Sequence, residues 1–183
     1  MIGLGFGGGM DSTMLLYELL NETKEHIVCI TNDIRSRNTI TVGHKNAAKV
    51  LTNFKSDRIT HYTDSTYETN EALETYVRAI VKFKLTDFYA GTSKIAEHIL
   101  NDTRHMMMNG NDRIDFRNQI INGVKIHLPY FDLYRTDIIK KYIKYDIIDI
   151  MHMTNSCDKL VEIPCGECQG CRDRRWGLEC VKC

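Results

Sequence analysis

The first thirteen residues constrain this chain more than any other stretch. Met-Ile-Gly-Leu-Gly-Phe6 is a short apolar segment that runs straight into Gly7-Gly8-Gly9, and from Asp11 onward Met14, Leu15, Leu16, Leu19 and Leu20 recur at helical spacing. The pattern is a strand, a glycine turn and a helix. Glycines permit positive φ and let backbone N–H groups come close to a ligand. The helix that follows aims its unpaired first-turn N–H groups, and the positive end of its dipole, at the turn. An anion such as pyrophosphate is the natural occupant of such a place. Ser12 and Thr13 add hydroxyl donors, whereas Asp11 would repel phosphate directly and is better suited to holding magnesium or capping the helix.

Downstream, strand-like and helix-like segments alternate. His26–Thr31, Arg58–Tyr62, Asp87–Ala90 and Lys125–Leu128 read as strands, and Asn46–Phe54 and Arg135–Lys144 as helices. Ser65-Thr-Tyr-Glu68 has the form of a capping box, followed by Leu73, Tyr76, Val77, Ile80 and Val81 on one helical face. This alternation predicts an α/β fold with a parallel, Rossmann-like sheet, whose ligands sit beyond the carboxyl ends of the strands. Gly7-Gly8-Gly9 and Gly91-Thr92-Ser93 both fall at that edge. Lys94 to Gly123 is polar and carries no clear element; the Met106-Met107-Met108 run within it reads as packing. From about Asn155 the composition shifts to Cys, Gly and charge, which divides the chain into a nucleotide-binding domain over 1–154 and a metal-ordered segment over 155–183.

A chain of 183 residues buries roughly 70% of its unfolded surface and needs no disulfides to build a core. Lys plus Arg number 24, as do Asp plus Glu, which argues against a protein that grips nucleic acid chiefly through phosphate charge. No apolar run approaches the ~20 residues of a membrane span, and the N-terminus lacks the basic start of a signal peptide, so a cytoplasmic location is expected. Six of the seven cysteines lie within the last 27 positions, while Cys29 stands alone in an apolar run. In a reducing compartment such a cluster reads as metal ligands. Cys157, Cys165, Cys168 and Cys171 offer four thiolates, with two-residue gaps and with Gly166 and Gly170 in the turns. Four protein thiolates suit tetrahedral zinc and leave no open position, hence a structural role. A ribbon pairing of Cys165 and Cys168 with Cys180 and Cys183 is the alternative. Arg172, Arg174, Arg175 and Trp176 follow the cysteines as a solvated turn anchored by tryptophan.

Among phosphate-binding loops, the P-loop requires a lysine after its last glycine, and none is present. A dinucleotide fingerprint is matched by Gly3, Gly5 and Gly8, with Asp33 where a ribose-binding acid falls, but only Met1 and Ile2 precede it. Gly7-Gly8-Gly9-Met10-Asp11-Ser12 resembles the Ser-Gly-Gly-x-Asp-Ser PP-loop of the N-type ATP pyrophosphatases, with Gly7 in place of the serine. An ordinary glycine turn is the bland alternative.

Asn155-Ser-Cys157, then Cys165-Gly-x-Cys-x-x-Cys171-Arg172 and Gly177, resembles the C-terminal motif of the 7-cyano-7-deazaguanine synthases. Pro129-Tyr-Phe-Asp132-Leu-Tyr-Arg-Thr-Asp-Ile-Ile139 is similar to that family's proline-aspartate-leucine stretch, and Gly43-His44 matches more loosely. The resemblance implies ATP bound by Phe6, Gly7, Gly8, Gly9, Met10, Asp11, Ser12 and Thr13 together with Gly91 and Thr92, with Asp11 and Ser12 in the catalytic roles. It implies substrate contacts at Asp112, Arg113 and Asp132, zinc on Cys157, Cys165, Cys168 and Cys171, Mg2+ with the ATP, and a homodimer. The implied reaction converts 7-carboxy-7-deazaguanine and ammonia into the nitrile through an adenylate, for queuosine-type nucleosides. Open alternatives are a PP-loop ATPase acting on another substrate (stopping at the amide, or serving tRNA or DNA base modification or defence) and a non-catalytic zinc and nucleotide module.

Overall fold

The computed structural model describes residues 1–34, 42–66, 72–101, 117, 119–157 and 163–182. Within them the chain runs β1 (Ile2–Gly5), α1 (Met10–Glu22), β2 (Ile27–Ile34), α2 (Val42–Leu51), β3 (Ile59–Thr66), α3 (Ala72–Phe83), β4 (Asp87–Ala90), α4 (Glu97–Asn101), β5 (Ile120–Ile121), β6 (Val124–His127), α5 (Arg135–Lys144), α6 (Ile148–Met153) and α7 (Gln169–Val181). The strands form one sheet in the order β3-β2-β1-β4-β6-β5. All neighbours are parallel except β5 and β6. This is the α/β architecture expected from the alternation of elements. Because β2 and β4 flank β1 on opposite sides, the strand order reverses at β1, and such a switch point opens a crevice at the carboxyl edge.

Each sheet face carries its own core. On one, Leu4, Phe6, Met14, Leu16, Ile138, Tyr142 and Met151 are buried between the sheet and helices α1, α2, α5 and α6. On the other, α3 covers Val28, Ile30, Phe88 and Ile126. Apolar Ile and Val along β1 and β2 suit strands covered on both sides. No helix among the described residues is long and apolar enough to cross a membrane.

Three details depart from the expectations. Ser65 and Thr66 do not cap a helix: β3 continues through them, pairing Asp33 with Ser65 and Ile34 with Thr66. The long ladder with β2 satisfies their backbone groups, and Tyr67 and Glu68 lie outside the described residues. In α3, Tyr76 and Ile80 of the expected face pack into the core, joined by buried Thr75 and Ala79, whereas Leu73 and Val81 are exposed at 51% and 67%. The polar middle contains a hairpin whose turn residues, Asn122 and Gly123, take φ of 50° and 78°. Positive φ at both central positions is the mark of the tightest hairpin turn, and Asn-Gly is its preferred pair. Met106–Met108 lie outside the described residues.

The C-terminal helix is tied closely to the sheet domain. A Cβ on Gly177 would stand 2.6 Å from Cγ of Arg135, so the glycine lets α7 lie directly on α5. Arg174, further back in α7, donates to the carbonyls of Met151 and Thr154 at the end of α6.

Candidate active site

Two loops meet at the carboxyl edge of the sheet, one after β1 and one after β4. Gly3 and Gly5 lie inside β1, so the glycines of the dinucleotide fingerprint are strand residues and that reading falls away. The turn itself is residues 6–9. Gly8 takes φ of 71°, and a Cβ there would stand 2.7 Å from the backbone N of Ala47 in α2. Gly91, after β4, would place a Cβ 2.7 Å from the backbone carbon of Asp11. Both positions therefore need glycine because backbone packs on backbone. Gly7 is different: among the described residues nothing lies within 4 Å of where its Cβ would be, and its φ is not positive.

A cavity of ≈ 570 Å³ opens over this junction, within the range of small-molecule sites. Its lining includes Phe6, Gly7, Gly9, Met10, Asp11 and Ser12 from the first loop, and Gly91 and Thr92 from the second. Among the residues assigned to ATP, Gly8 and Thr13 do not line it. Gly8 is pressed against α2, and Thr13 is fully buried in the inward face of α1 beside Met14. The Ser12 hydroxyl donates back to the Gly9 carbonyl at 3.2 Å. No side chain caps α1, so its first-turn N–H groups remain directed at the cavity.

Asp11 neither caps the helix nor stands open. One of its oxygens accepts from the Ser93 hydroxyl at 2.7 Å and the other from the Arg135 guanidinium. Arg135 also donates through Nε to Asp173 of α7 at 2.7 Å. Burial works against the Arg135 cation, but Asp11 and Asp173 beside it more than offset this and keep it charged. Residue patterns alone missed this cluster of Ser93, Arg135 and Asp173. One signal was present: Arg135 opens a helix, where a cation opposes the dipole unless carboxylates hold it.

Asp132 does not line the cavity; at the surface it pairs with Lys94 and Arg117. Asp112 and Arg113 lie outside the described residues.

The four thiols of Cys157, Cys165, Cys168 and Cys171 all lie within 4.8 Å of one another. Cys157 and Cys165 sulfurs are 3.6 Å apart, and those of Cys168 and Cys157 3.8 Å. A tetrahedral zinc with bonds of about 2.3 Å sets its sulfurs about 3.8 Å apart, so the donor set fits that ion. Backbone N–H groups of Glu167 and Cys168 pull the Cys165 thiol down to about 6, which favours the thiolate a metal requires. The ribbon pairing fails: Cys180 is exposed and lies nine residues along α7 from Cys171, about 13 Å at the rise of a helix. Cys183 is outside the described residues. Magnesium is another matter. Each Asp11 oxygen already accepts one hydrogen bond, from Ser93 and from Arg135, so Asp11 would reach a magnesium ion only through its remaining lone pairs.

The cluster also forms part of the cavity wall, since Asn155, Ser156, Cys157, Gln169, Gly170 and Asp173 line it. The family model of the queuosine biosynthesis protein QueC matches residues 81–182. The chain belongs to that family. The matched span carries Gly91–Ser93, Arg135, Asp173 and all four clustered cysteines, while the glycine loop lies before it. Among curated proteins, none matches the chain. QueC membership places this protein in queuosine biosynthesis and in the 7-cyano-7-deazaguanine synthase family.

Proposed function

We propose that this chain is an ATP-dependent synthase that converts 7-carboxy-7-deazaguanine and ammonia into 7-cyano-7-deazaguanine. The observation that carries the reading is the cavity at the β1/β4 switch point, where the unpaired N–H groups of α1 and the buried Arg135 converge on one place. ATP would lay its polyphosphate across residues 7–12, accepting from backbone N–H groups and from the Ser12 hydroxyl once it turns away from the Gly9 carbonyl, with Gly91 and Thr92 opposite. A guanidinium carries more N–H donors than its bonds to Asp11 and Asp173 use. Arg135 therefore offsets the Asp11 charge beside the phosphate path and keeps N–H donors to spare for the phosphates.

The substrate carboxylate attacks the α-phosphorus of ATP, and pyrophosphate leaves. Ammonia then adds to the acyl carbon, AMP leaves with the former carboxylate oxygen, and a proton is lost to give the amide. A second ATP adenylates the amide oxygen with release of pyrophosphate; AMP then leaves with that oxygen and the nitrogen gives up both its protons, leaving the nitrile. No side-chain nucleophile is needed. Catalysis rests on holding the carboxylate in line with the α-phosphorus and on stabilising charge that develops on the phosphate. Zinc on the four cysteines would order the segment that closes one wall of the cavity.

Incubation with ATP, ammonium and the carboxylated deazaguanine, followed by mass spectrometry, tests this directly. The nitrile should accumulate with AMP and pyrophosphate. Accumulation of the amide alone would limit the enzyme to the first activation, and no AMP with any combination of substrates would sink the proposal.

A further inference from the structure

We propose that Asp173 is a positioning residue that sets Arg135 on the phosphate loop, and that through it metal loading of the four-cysteine site is felt by the nucleotide. The inference rests on the reading of residues 7–12 as the ATP loop. Helix α7 begins on the cysteine cluster: Cys168 is its N-cap and Cys171 lies in its first turn. Two residues further on, Asp173 is completely buried and accepts from Arg135 Nε. One turn later Gly177 rests on the Arg135 stem, where a Cβ would come within 2.6 Å of Cγ. The same short helix thus fixes the direction of the guanidinium and the path of its stem. Arg135 in turn holds Asp11, which Ser93 holds from the other side.

A second tether joins the same two places. The Asn155 N–H donates to the Gly8 carbonyl at 3.1 Å, two residues before Cys157. Ligands at both ends of the cluster are therefore within two residues of a group that touches the loop or its arginine. A start of α7 that loosens without metal moves Asp173. Arg135 then swings, and the Asp11 charge is left uncompensated beside the phosphate path, where a buried unpaired carboxylate is costly.

The test measures ATP affinity by calorimetry, zinc per chain by elemental analysis, and hydrogen exchange of peptides covering residues 6–13. Asp173→Asn should retain its zinc, bind ATP about tenfold more weakly, the scale of one hydrogen bond to a charged group, and exchange faster across the loop. Chelation of the wild-type protein should speed exchange of the same peptides, and chelation of Asp173→Asn should add little more. Glu18→Gln serves as a control for general destabilisation. It breaks a buried ion pair to Lys141 on the α1–α5 seam, so it should lower the melting temperature and leave loop exchange unchanged. Should Asp173→Asn fail to fold, Gly177→Ala displaces the Arg135 stem while keeping every charge, and should give the same loop signature. Unchanged ATP affinity and loop exchange in the folded variant would overturn the positioning role. Full additivity with chelation would overturn the coupling. A wild-type protein that binds no ATP, but whose loop still responds to Asp173→Asn, would remove the ATP reading and leave the pin standing.

Discussion

The glycine loop and the cysteine cluster face each other across one cavity, yet they are built on opposite logic. The loop is defined by what its residues lack. Gly8 and Gly91 leave no room for a methyl group because backbone from α2 and α1 occupies it, and the ligand-facing groups are main-chain amides. The cluster is defined by what its residues carry, four sulfurs within 4.8 Å on a segment that adds little to either core. The framework therefore holds the loop, whereas the cluster must hold its own segment in place. Adding an atom at Gly8 or Gly91 should harm the first, and removing an atom or an ion should harm the second.

The largest effect should come from the cluster. Structural zinc contributes on the order of 10 kcal/mol of apparent binding free energy in small domains. Part of that is lost when a ligand is removed. Cys168→Ser, or chelation of the wild-type protein, should abolish stoichiometric zinc and lower the melting temperature by on the order of 10 °C. Trp176, the single tryptophan, sits on α7 against His98 and Tyr134, and its fluorescence should change as that helix loosens. Unaltered melting and fluorescence after complete chelation would show that the segment stands without its metal.

Within the loop, two glycines should respond in opposite ways. Gly91→Ala forces a Cβ to within 2.7 Å of the Asp11 backbone, an overpacking that costs about 1–3 kcal/mol and should weaken ATP binding as the two loops part. Gly7→Ser places its side chain where, among the described residues, nothing lies within 4 Å, and should alter stability by no more than about 0.5 kcal/mol. It also supplies a hydroxyl at the edge of the phosphate path, so ATP binding should hold or tighten. If calorimetry finds both substitutions equally harmful, the loop is not set by backbone packing.

The same contrast explains what could be read beforehand. Asp87–Ala90 and Arg135–Lys144 coincide with β4 and α5, because short apolar runs and helical spacing are local signals. The four cysteines were legible by spacing, and their sulfurs converge as one set. Ser65 misled because its local capping pattern lost to eight residues of ladder with β2, a partner more than thirty positions away. Asn122-Gly123 was a local turn signal, obscured by a polar neighbourhood and by a β5 strand of two residues. Arg135 and Asp173 are 38 positions apart, and nothing in either neighbourhood announces the pair. Thr13 was placed among the phosphate donors from its position in the first turn, but the helix faces it into the core.

The smallest effect concerns how the loop is anchored from behind. The buried Thr31 hydroxyl donates to the Phe6 carbonyl at 2.6 Å, and the same oxygen lies 2.8 Å from His61 Nε2. With its proton committed to Phe6, Thr31 accepts there, so His61 carries hydrogen on Nε2. His44 stacks on His61 with ring centroids 5.1 Å apart. Burial, and then the neighbouring His44, lower the His61 pKa from 6.5. Because the folded value lies below the unfolded one, the unfolded chain takes up the proton first. The contribution is full above pH 6.5 and is lost as pH falls through the folded value. Melting curves recorded at equal zinc content should therefore decline less steeply below that pH in His61→Asn than in the wild-type protein. Zinc release at the thiols also destabilises in acid, and matching the metal content separates the two. Parallel declines would assign acid sensitivity to the cysteine side of the cavity and leave the β1 loop insensitive to this histidine.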